Sequence, residues 1–191
     1  ITGCSTGLGK ELALAALKRG HKVIATARAA AALAELVEIG ADALELDVTR
    51  PLPELEALAK RALSIYGRVD ILANNAGYVL QGAIEAASPE ETLAQFNTNV
   101  FGLLNVTRAF LPHMRKRRSG VIALVSSGGG WRSFPGVRLY CSTKFTVEGL
   151  GEALRDEVAS LGITVTVIAP GVFRTALLKE GTNLASAQKH I

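Results

Sequence analysis

Tyr140 and Lys144 stand four residues apart in a stretch of helical periodicity, so both side chains project from one helix face. That pairing suits proton transfer. A phenol titrates near 10, and lowering that value by about 3 units takes about 4 kcal/mol. A neighbouring ammonium in a partly desolvated site can supply much of it. Ser127 ends an apolar, β-branched run 13 residues earlier, and its hydroxyl can hydrogen-bond a carbonyl oxygen. A Tyr and a Lys at this spacing also occur as an ordinary surface pair on helices, so the wider pattern decides.

A second constellation opens the chain. In Thr2-Gly3-Cys4-Ser5-Thr6-Gly7-Leu8-Gly9, Gly3 permits a tight turn and Gly7 lets backbone approach a pyrophosphate. Gly9 lets the following helix pack closely. The free N–H groups where that helix begins, near Leu8, suit phosphate oxygens. Ala27-Arg28 ends a strand at the place where an acidic residue would bind the ribose 2′-hydroxyl of NAD. A guanidinium there matches a 2′-phosphate in charge and fork geometry, which favours NADP over NAD. The alternative for Arg28 is a solvated residue in the first turn of the next helix. Asp47-Val48 ends a further strand, where the carboxylate can meet an adenine amino group, and Asn74-Asn75-Ala76-Gly77 ends the next. Open α/β sheets bind ligands outside the carboxyl ends of their strands.

These positions need a framework that alternates strand and helix. Residues 21–27, 42–48, 69–73, 121–126 and 163–168 read as strands, several almost continuously apolar, as in parallel sheets covered on both faces. Residues 8–19, 29–39, 53–66, 88–118 and about 141–160 read as helices. Ser88-Pro89-Glu90-Glu91 supplies an N-cap, a proline at N1 and a carboxylate at N3. The alternation predicts an α/β fold: a doubly wound parallel sheet of Rossmann type in a three-layer α/β/α arrangement. Residues 1–191 read as a single dinucleotide-binding domain. A glycine turn needs a strand before it, and Ile1 alone precedes Thr2. The expectation is therefore a chain without the start of its first strand and without a C-terminal strand and helix.

Composition closes off other classes. With 49% hydrophobic and 20% charged residues the chain can bury a core, which excludes disorder as its main state. Two cysteines, Cys4 and Cys141, exclude a disulfide scaffold. The three histidines, far apart in sequence, give no metal-ligand spacing, so no metal is expected. The net charge of +4 gathers at Arg115-Lys116-Arg117-Arg118, which suits a helix C-terminus closed near Gly120. With aromatics at 5%, a nucleic-acid interface is not expected. No apolar run reaches the length of a membrane span, and no export signal is visible. Free thiols then point to a reducing, cytoplasmic setting.

The stretches TGCSTGLG at 2–9, DV at 47–48, NNAG at 74–77, NVFG at 99–102, VSS at 125–127, YCSTK at 140–144 and PGVFRT at 170–175 agree in order and interval with one family. Over nearly its whole length the chain resembles the short-chain dehydrogenases/reductases. The resemblance implies an NAD(P)-dependent oxidoreductase interconverting a carbonyl compound and a secondary alcohol. It implies Tyr140 as general acid/base, with Lys144 lowering its pKa and holding the nicotinamide ribose. Ser127 would polarise the substrate oxygen, in preference to its neighbour Ser126. Asn99 would anchor a water linking Lys144 to solvent. Ser5, Thr6 and the glycines would meet the phosphates, and Asn75, Ala76 and Gly77 the adenosine-side ribose. Pro170, Gly171, Val172 and Thr175 would lie at the nicotinamide, the last two holding its carboxamide. Family members with arginine just after the second strand tend to use NADP, although Thr6 stands where some of them carry a basic residue. Trp131, Phe134, Val137 and Leu139 can line an apolar pocket for a lipophilic substrate, or simply pack the loop. Phe101, Leu104 and Phe110 are expected on an exposed helix face, where the family pairs subunits, so a homodimer or homotetramer is expected. The alternative function is a catalytically silent dinucleotide-binding sensor, against which the intact Ser, Tyr and Lys argue.

Overall fold

The computed structural model describes residues 1–173 and 184–187. In chain order its elements are α1 (Gly7–Lys18), β1 (Ile24–Ala27), a 3₁₀ turn (Ala30–Leu33), α2 (Ala34–Glu38), β2 (Asp42–Glu45), α3 (Leu52–Tyr66), β3 (Ile71–Asn74) and β4 (Val79–Gln81). There follow a 3₁₀ turn (Ile84–Ala86), α4 (Pro89–Phe96), a π-helical turn (Asn97–Gly102), α5 (Leu103–Arg117) and β5 (Gly120–Val125). The chain continues with a 3₁₀ turn (Gly128–Gly130), α6 (Arg138–Ala159), β6 (Ile163–Ile168) and β7 (Leu184–Ser186).

β1 pairs in parallel with β2, and β3, β5 and β6 pair in parallel in that order. Residues 1–4 join the two groups. The Ile1 carbonyl accepts from Thr26 N at 3.1 Å and the Cys4 N–H donates to the Thr26 carbonyl at 2.8 Å, while Thr2 N–H donates to the Ala73 carbonyl at 2.9 Å. The spatial order is therefore β2, β1, residues 1–4, β3, β5, β6. Helices lie on both sides of this parallel α/β sheet. α3 packs against α5, α6 packs along β6, and α1 meets α2. Leu55 and Ala59 of α3, Val106 and Met114 of α5, Ile122 and Leu124 of β5 and Val147 of α6 meet in the main core. The near-continuous apolar run of β5 is what a strand covered on both faces requires.

Local signals explain the boundaries. Ser88 Oγ accepts from Glu91 N at 3.1 Å and the Glu91 carboxylate accepts from Ser88 N at 2.9 Å, a reciprocal capping box that starts α4. α5 ends at Arg118 in the left-handed region (φ 53°), with Arg115, Lys116 and Arg117 in its last turn. Arg117 donates to the Val69 carbonyl at 2.9 Å and Arg118 to the Ser160 carbonyl at 2.6 Å, so this basic run is a helix end tied to its surroundings.

The structure corrects four expectations. The helix expected over 88–118 is broken by the π-helical turn at 97–102. Its apolar pattern continues through that turn, so periodicity alone does not reveal it. The stretch 29–39 is a 3₁₀ turn followed by the short α2. β4 and β7, three residues each, pair in parallel apart from the main sheet and are too short to leave a periodic signal. Phe110 is 7% exposed and belongs to the core, on the face of α5 that also buries Val106 and Met114, whereas Phe101 is 46% exposed. Among the described residues no helix is long and apolar enough to cross a membrane, and no cluster of His, Cys, Asp and Glu could hold a metal ion.

Candidate active site

A cleft of about 740 Å³ opens at the carboxyl ends of the strands. Its floor is the glycine loop. Gly3 holds φ +70°, and a Cβ there would stand 2.9 Å from the Ala76 Cα. At Gly9 a Cβ would stand 2.3 Å from the Gly3 carbonyl oxygen, so only glycine lets α1 begin this close to the loop. The Asn75 side-chain amide donates to the Thr2 carbonyl at 2.9 Å and the Gly3 carbonyl at 3.1 Å. Thr2 Oγ1 accepts from Asn75 N and Ala76 N, both at 2.9 Å. The end of β3 is thereby laced to the glycine loop, and Asn75 spends its amide nitrogen on that lacing while still lining the cleft. α1 begins at Gly7 with no acidic residue in its first turn, so its positive end faces the cleft uncontested. The cradle formed by Gly3, Ser5, Thr6, Gly7 and the start of α1 fits a pyrophosphate.

The other end of the floor pairs a cation with an anion. Arg28, exposed, lines the cleft just beyond β1. The Asp47 carboxylate accepts from Thr49 N at 2.9 Å and Thr49 Oγ1 at 2.7 Å. Partial burial pushes Asp47 up, but the two Thr49 hydrogen bonds and the Arg28 and Arg50 guanidinium groups prevail and hold it below the usual carboxylate range. Val48 is buried against Gly102, where a Cβ would stand 2.7 Å from Val48 Cγ2.

At the opposite wall, Ser127, Tyr140 and Lys144 converge on the cleft. α6 begins at Arg138, so Tyr140 and Lys144 share its first turns and one face. The Ser127 hydroxyl hydrogen-bonds the Tyr140 phenol and accepts from Gly129 N at 3.1 Å. Lys144 Nζ donates to the Val125 carbonyl at 2.7 Å and lies 5.6 Å from the centre of the Tyr140 ring. The expected acidification of the phenol is not what this arrangement produces. Burial pushes Tyr140 above its ordinary value, the Ser127 bond opposes it and Cys141 adds to the rise. The ammonium stands over the ring and donates to the Val125 carbonyl.

Burial also lowers Lys144 from 10.5 to about 8, against the opposing pull of Glu148. A lysine whose value is lower folded than unfolded opposes folding while charged in both states. That opposition fades as pH climbs from about 8 towards 10.5. Relative to Lys144→Met, the wild-type chain is therefore expected to gain about 2 kcal/mol of unfolding free energy between pH about 7 and about 9.5. Urea titrations of both proteins at several pH values measure it, and a difference that stays flat rejects this assignment.

Asn99 does not line the cleft. At 1% exposed it sits behind the wall, on the π-helical turn. Its side chain accepts from Tyr78 N at 3.1 Å and donates to the Tyr78 carbonyl at 3.0 Å and to Thr143 Oγ1 at 3.2 Å. Gln95, fully buried, accepts from Leu80 N at 2.7 Å and donates to the Tyr78 carbonyl at 2.9 Å. Two amides from neighbouring turns thus clamp the segment that leads into β4. Sequence reasoning missed Gln95 and Tyr78. A buried glutamine is indistinguishable by type from a surface one, and Tyr78 follows the glycine-containing loop without periodic context. Of the candidate apolar residues, Phe134 and Val137 line the cleft, whereas Trp131 and Leu139 do not, Trp131 being 74% exposed. Tyr78, Val79, Phe173, Leu184 and Ala185 complete that apolar end. Pro170, Gly171 and Val172 border the cleft; Thr175 lies outside the described residues.

The family model described as short chain dehydrogenase matches residues 1–184. The chain is 41% identical over 175 residues to a 3-ketodihydrosphingosine reductase of Bacteroides thetaiotaomicron, covering 92% of this chain and 63% of that protein. It thus spans less than two thirds of that relative's length. A crystal structure of a short-chain dehydrogenase from Streptomyces avermitilis superposes with a TM-score of 0.91 at 42% identity, covering 100% of this chain and 72% of that one. A metagenomic short-chain oxidoreductase in complex with NADP superposes with a TM-score of 0.83 at 29% identity, covering 91% and 80%.

Proposed function

The chain belongs to the short-chain dehydrogenase family, and from that premise we propose that it is a cytoplasmic NADP(H)-dependent reductase of a lipophilic ketone or aldehyde. The observation that carries the proposal is the convergence of Ser127, Tyr140 and Lys144 on the cleft floored by the glycine loop. When bound, the dinucleotide supplies the hydride that turns the carbonyl carbon into an alcohol carbon. The glycine loop and the start of α1 hold its phosphates, and Lys144 hydrogen-bonds its nicotinamide ribose. Ser127 hydrogen-bonds the carbonyl oxygen, and Tyr140 gives that oxygen a proton as negative charge develops on it. A phenol held above its ordinary value keeps its proton at neutral pH, which is the state that donation requires. With NADP(H) as the cofactor, the reductive direction is the one proposed.

The choice of substrate follows from the lining. Among the described cleft residues the ionised side chains at neutral pH are Arg28, Asp47 and Lys144, at the dinucleotide floor and beside Tyr140. Val79, Phe134, Val137, Phe173 and Leu184 offer no partner for a substrate carboxylate or phosphate near the reacting carbon. The exposed Leu93 and Phe101 suit a contact between subunits of a homodimer or homotetramer.

Purified protein given NADPH and a panel of apolar ketones and aldehydes tests the proposal. Oxidation of NADPH with formation of the alcohol is expected. Tight NADPH binding without turnover on any of them would favour a silent sensor. Arg28 carries the choice of NADP. Arg28→Ala is expected to lower kcat/KM with NADPH about tenfold, for the loss of a charge-assisted contact, and to leave NADH nearly unchanged. An unaltered ratio of the two would remove Arg28 from the site.

A further inference from the structure

Behind Lys144 lies a small polar cluster that the proposed reaction does not use. Glu148 follows Lys144 by four residues on α6, on the same helix face. Its Oε1 is buried and makes no hydrogen bond. Ser126, the residue after the carbonyl that holds Lys144 Nζ, is 3% exposed, and its Oγ is likewise buried without a hydrogen bond. Both groups crowd one point. A Cβ added at Gly130 would stand 2.7 Å from Ser126 Oγ, 3.1 Å from Glu148 Cγ and 3.1 Å from the Lys144 carbonyl oxygen. Two polar atoms withdrawn from water without partners are costly, and here both lie against the helix turn that carries the buried Lys144.

We propose that Glu148 is a positioning residue for Lys144: its inward carboxylate, with Ser126 and a close approach that only Gly130 permits, forms an electrostatic seat that keeps the amine charged in the cleft wall. This rests on the proposed reductase only for its catalytic consequence. An amine as buried as Lys144 sheds its proton readily, and a neutral amine binds ribose hydroxyls less well. Burial is the larger influence on its charge, and Glu148 is the ionisable group that opposes it. Tyr140 and Cys141 share α6 with Lys144, and burial holds the Tyr140 phenol above its ordinary value, so that it carries no charge near pH 7. The turn after β5 brings Ser126, Ser127 and three glycines, and the π-helical turn brings Asn99, none of them charged.

Two readouts test the seat. The first needs no turnover. In intact protein with lysine labelled by 13C at Cε, the Lys144 signal is assigned by its loss in Lys144→Arg. Its titration midpoint is expected to fall by about one pH unit in Glu148→Gln and to return towards wild type in Glu148→Asp. Glu152→Gln, an exposed change one turn further along α6, is the control and leaves the midpoint in place. The second is the pH profile of kcat with NADPH. Its alkaline fall is expected to begin about one unit lower in Glu148→Gln, with the KM for the ketone little changed. A Lys144 midpoint that does not move in folded Glu148→Gln overturns the inference, whatever the activity. A shifted midpoint in a protein that reduces nothing would uphold the seat and sink the reductase.

Discussion

Tyr140→Phe is expected to lower kcat by at least about 100-fold while leaving NADPH affinity within about twofold of wild type. The split follows from geometry. The ring borders the cleft and keeps its packing in the variant, so the dinucleotide floor 2–9 and the Asn75 lacing are untouched. What disappears is the one hydroxyl that both hydrogen-bonds Ser127 and can hand a proton to substrate oxygen. Stopped-flow NADPH oxidation with the best ketone, beside a fluorescence titration of NADPH, separates the two quantities. Turnover that survives the change would show that the proton comes from elsewhere, and the assignment of Tyr140 would fall.

Gly9→Ala is expected to do the opposite kind of damage, striking fold and cofactor together. Its methyl group would meet the Gly3 carbonyl oxygen at 2.3 Å and Asn75 Nδ2 at 2.4 Å. The first is backbone and cannot rotate away, and the second is pinned by its bonds to the Thr2 and Gly3 carbonyls. Either α1 withdraws from the loop or the lacing to β3 opens. Overpacking of this kind costs about 1–3 kcal/mol and more where backbone must shift. A fall in thermal midpoint with loss of NADPH binding is the expected result. A variant that melts and binds like wild type would mean that the loop yields to the added methyl and that the close approach of α1 is not what holds the cradle.

Much of this architecture was legible because its signals are local and repeated. Several of the five strands of the main sheet are nearly continuous apolar runs bounded by turn residues, and the capping box at Ser88 marks the start of α4 without reference to anything else. The glycine loop was equally readable, since three glycines at that spacing solve a steric problem. What escaped was whatever depends on who sits opposite. β4 and β7 exist by pairing with each other across about a hundred residues, and three residues carry no period. Gln95 and Asn99 were unremarkable polar residues until Tyr78 lay between them. The electrostatics of Tyr140 went the other way from expectation for a related reason. Sequence spacing brings the ammonium onto the same helix face, but the depth to which the phenol is buried is the larger influence on its proton. The homologous role of Asn99 as a water anchor remains a proposal. Its side chain is committed to protein partners, so such a contact would fall to its backbone.

The π-helical turn at 97–102 works as a gear change in a single rod. An α-helix advances about 100° per residue, and a turn widened to five-residue spacing accommodates one more residue without lengthening the rod by a full step. α4 and α5 therefore answer to different neighbours: Gln95 of α4, with Asn99 of the turn itself, grips the Tyr78 segment, and downstream Val106, Phe110 and Met114 drop into the core. Deleting one residue from that turn would close it into an ordinary helix and take from Asn99 the offset that lets it reach the Tyr78 backbone. The irregular turn between α4 and α5 thus gives the chain a side chain aimed at the wall without disturbing the helix halves that frame it.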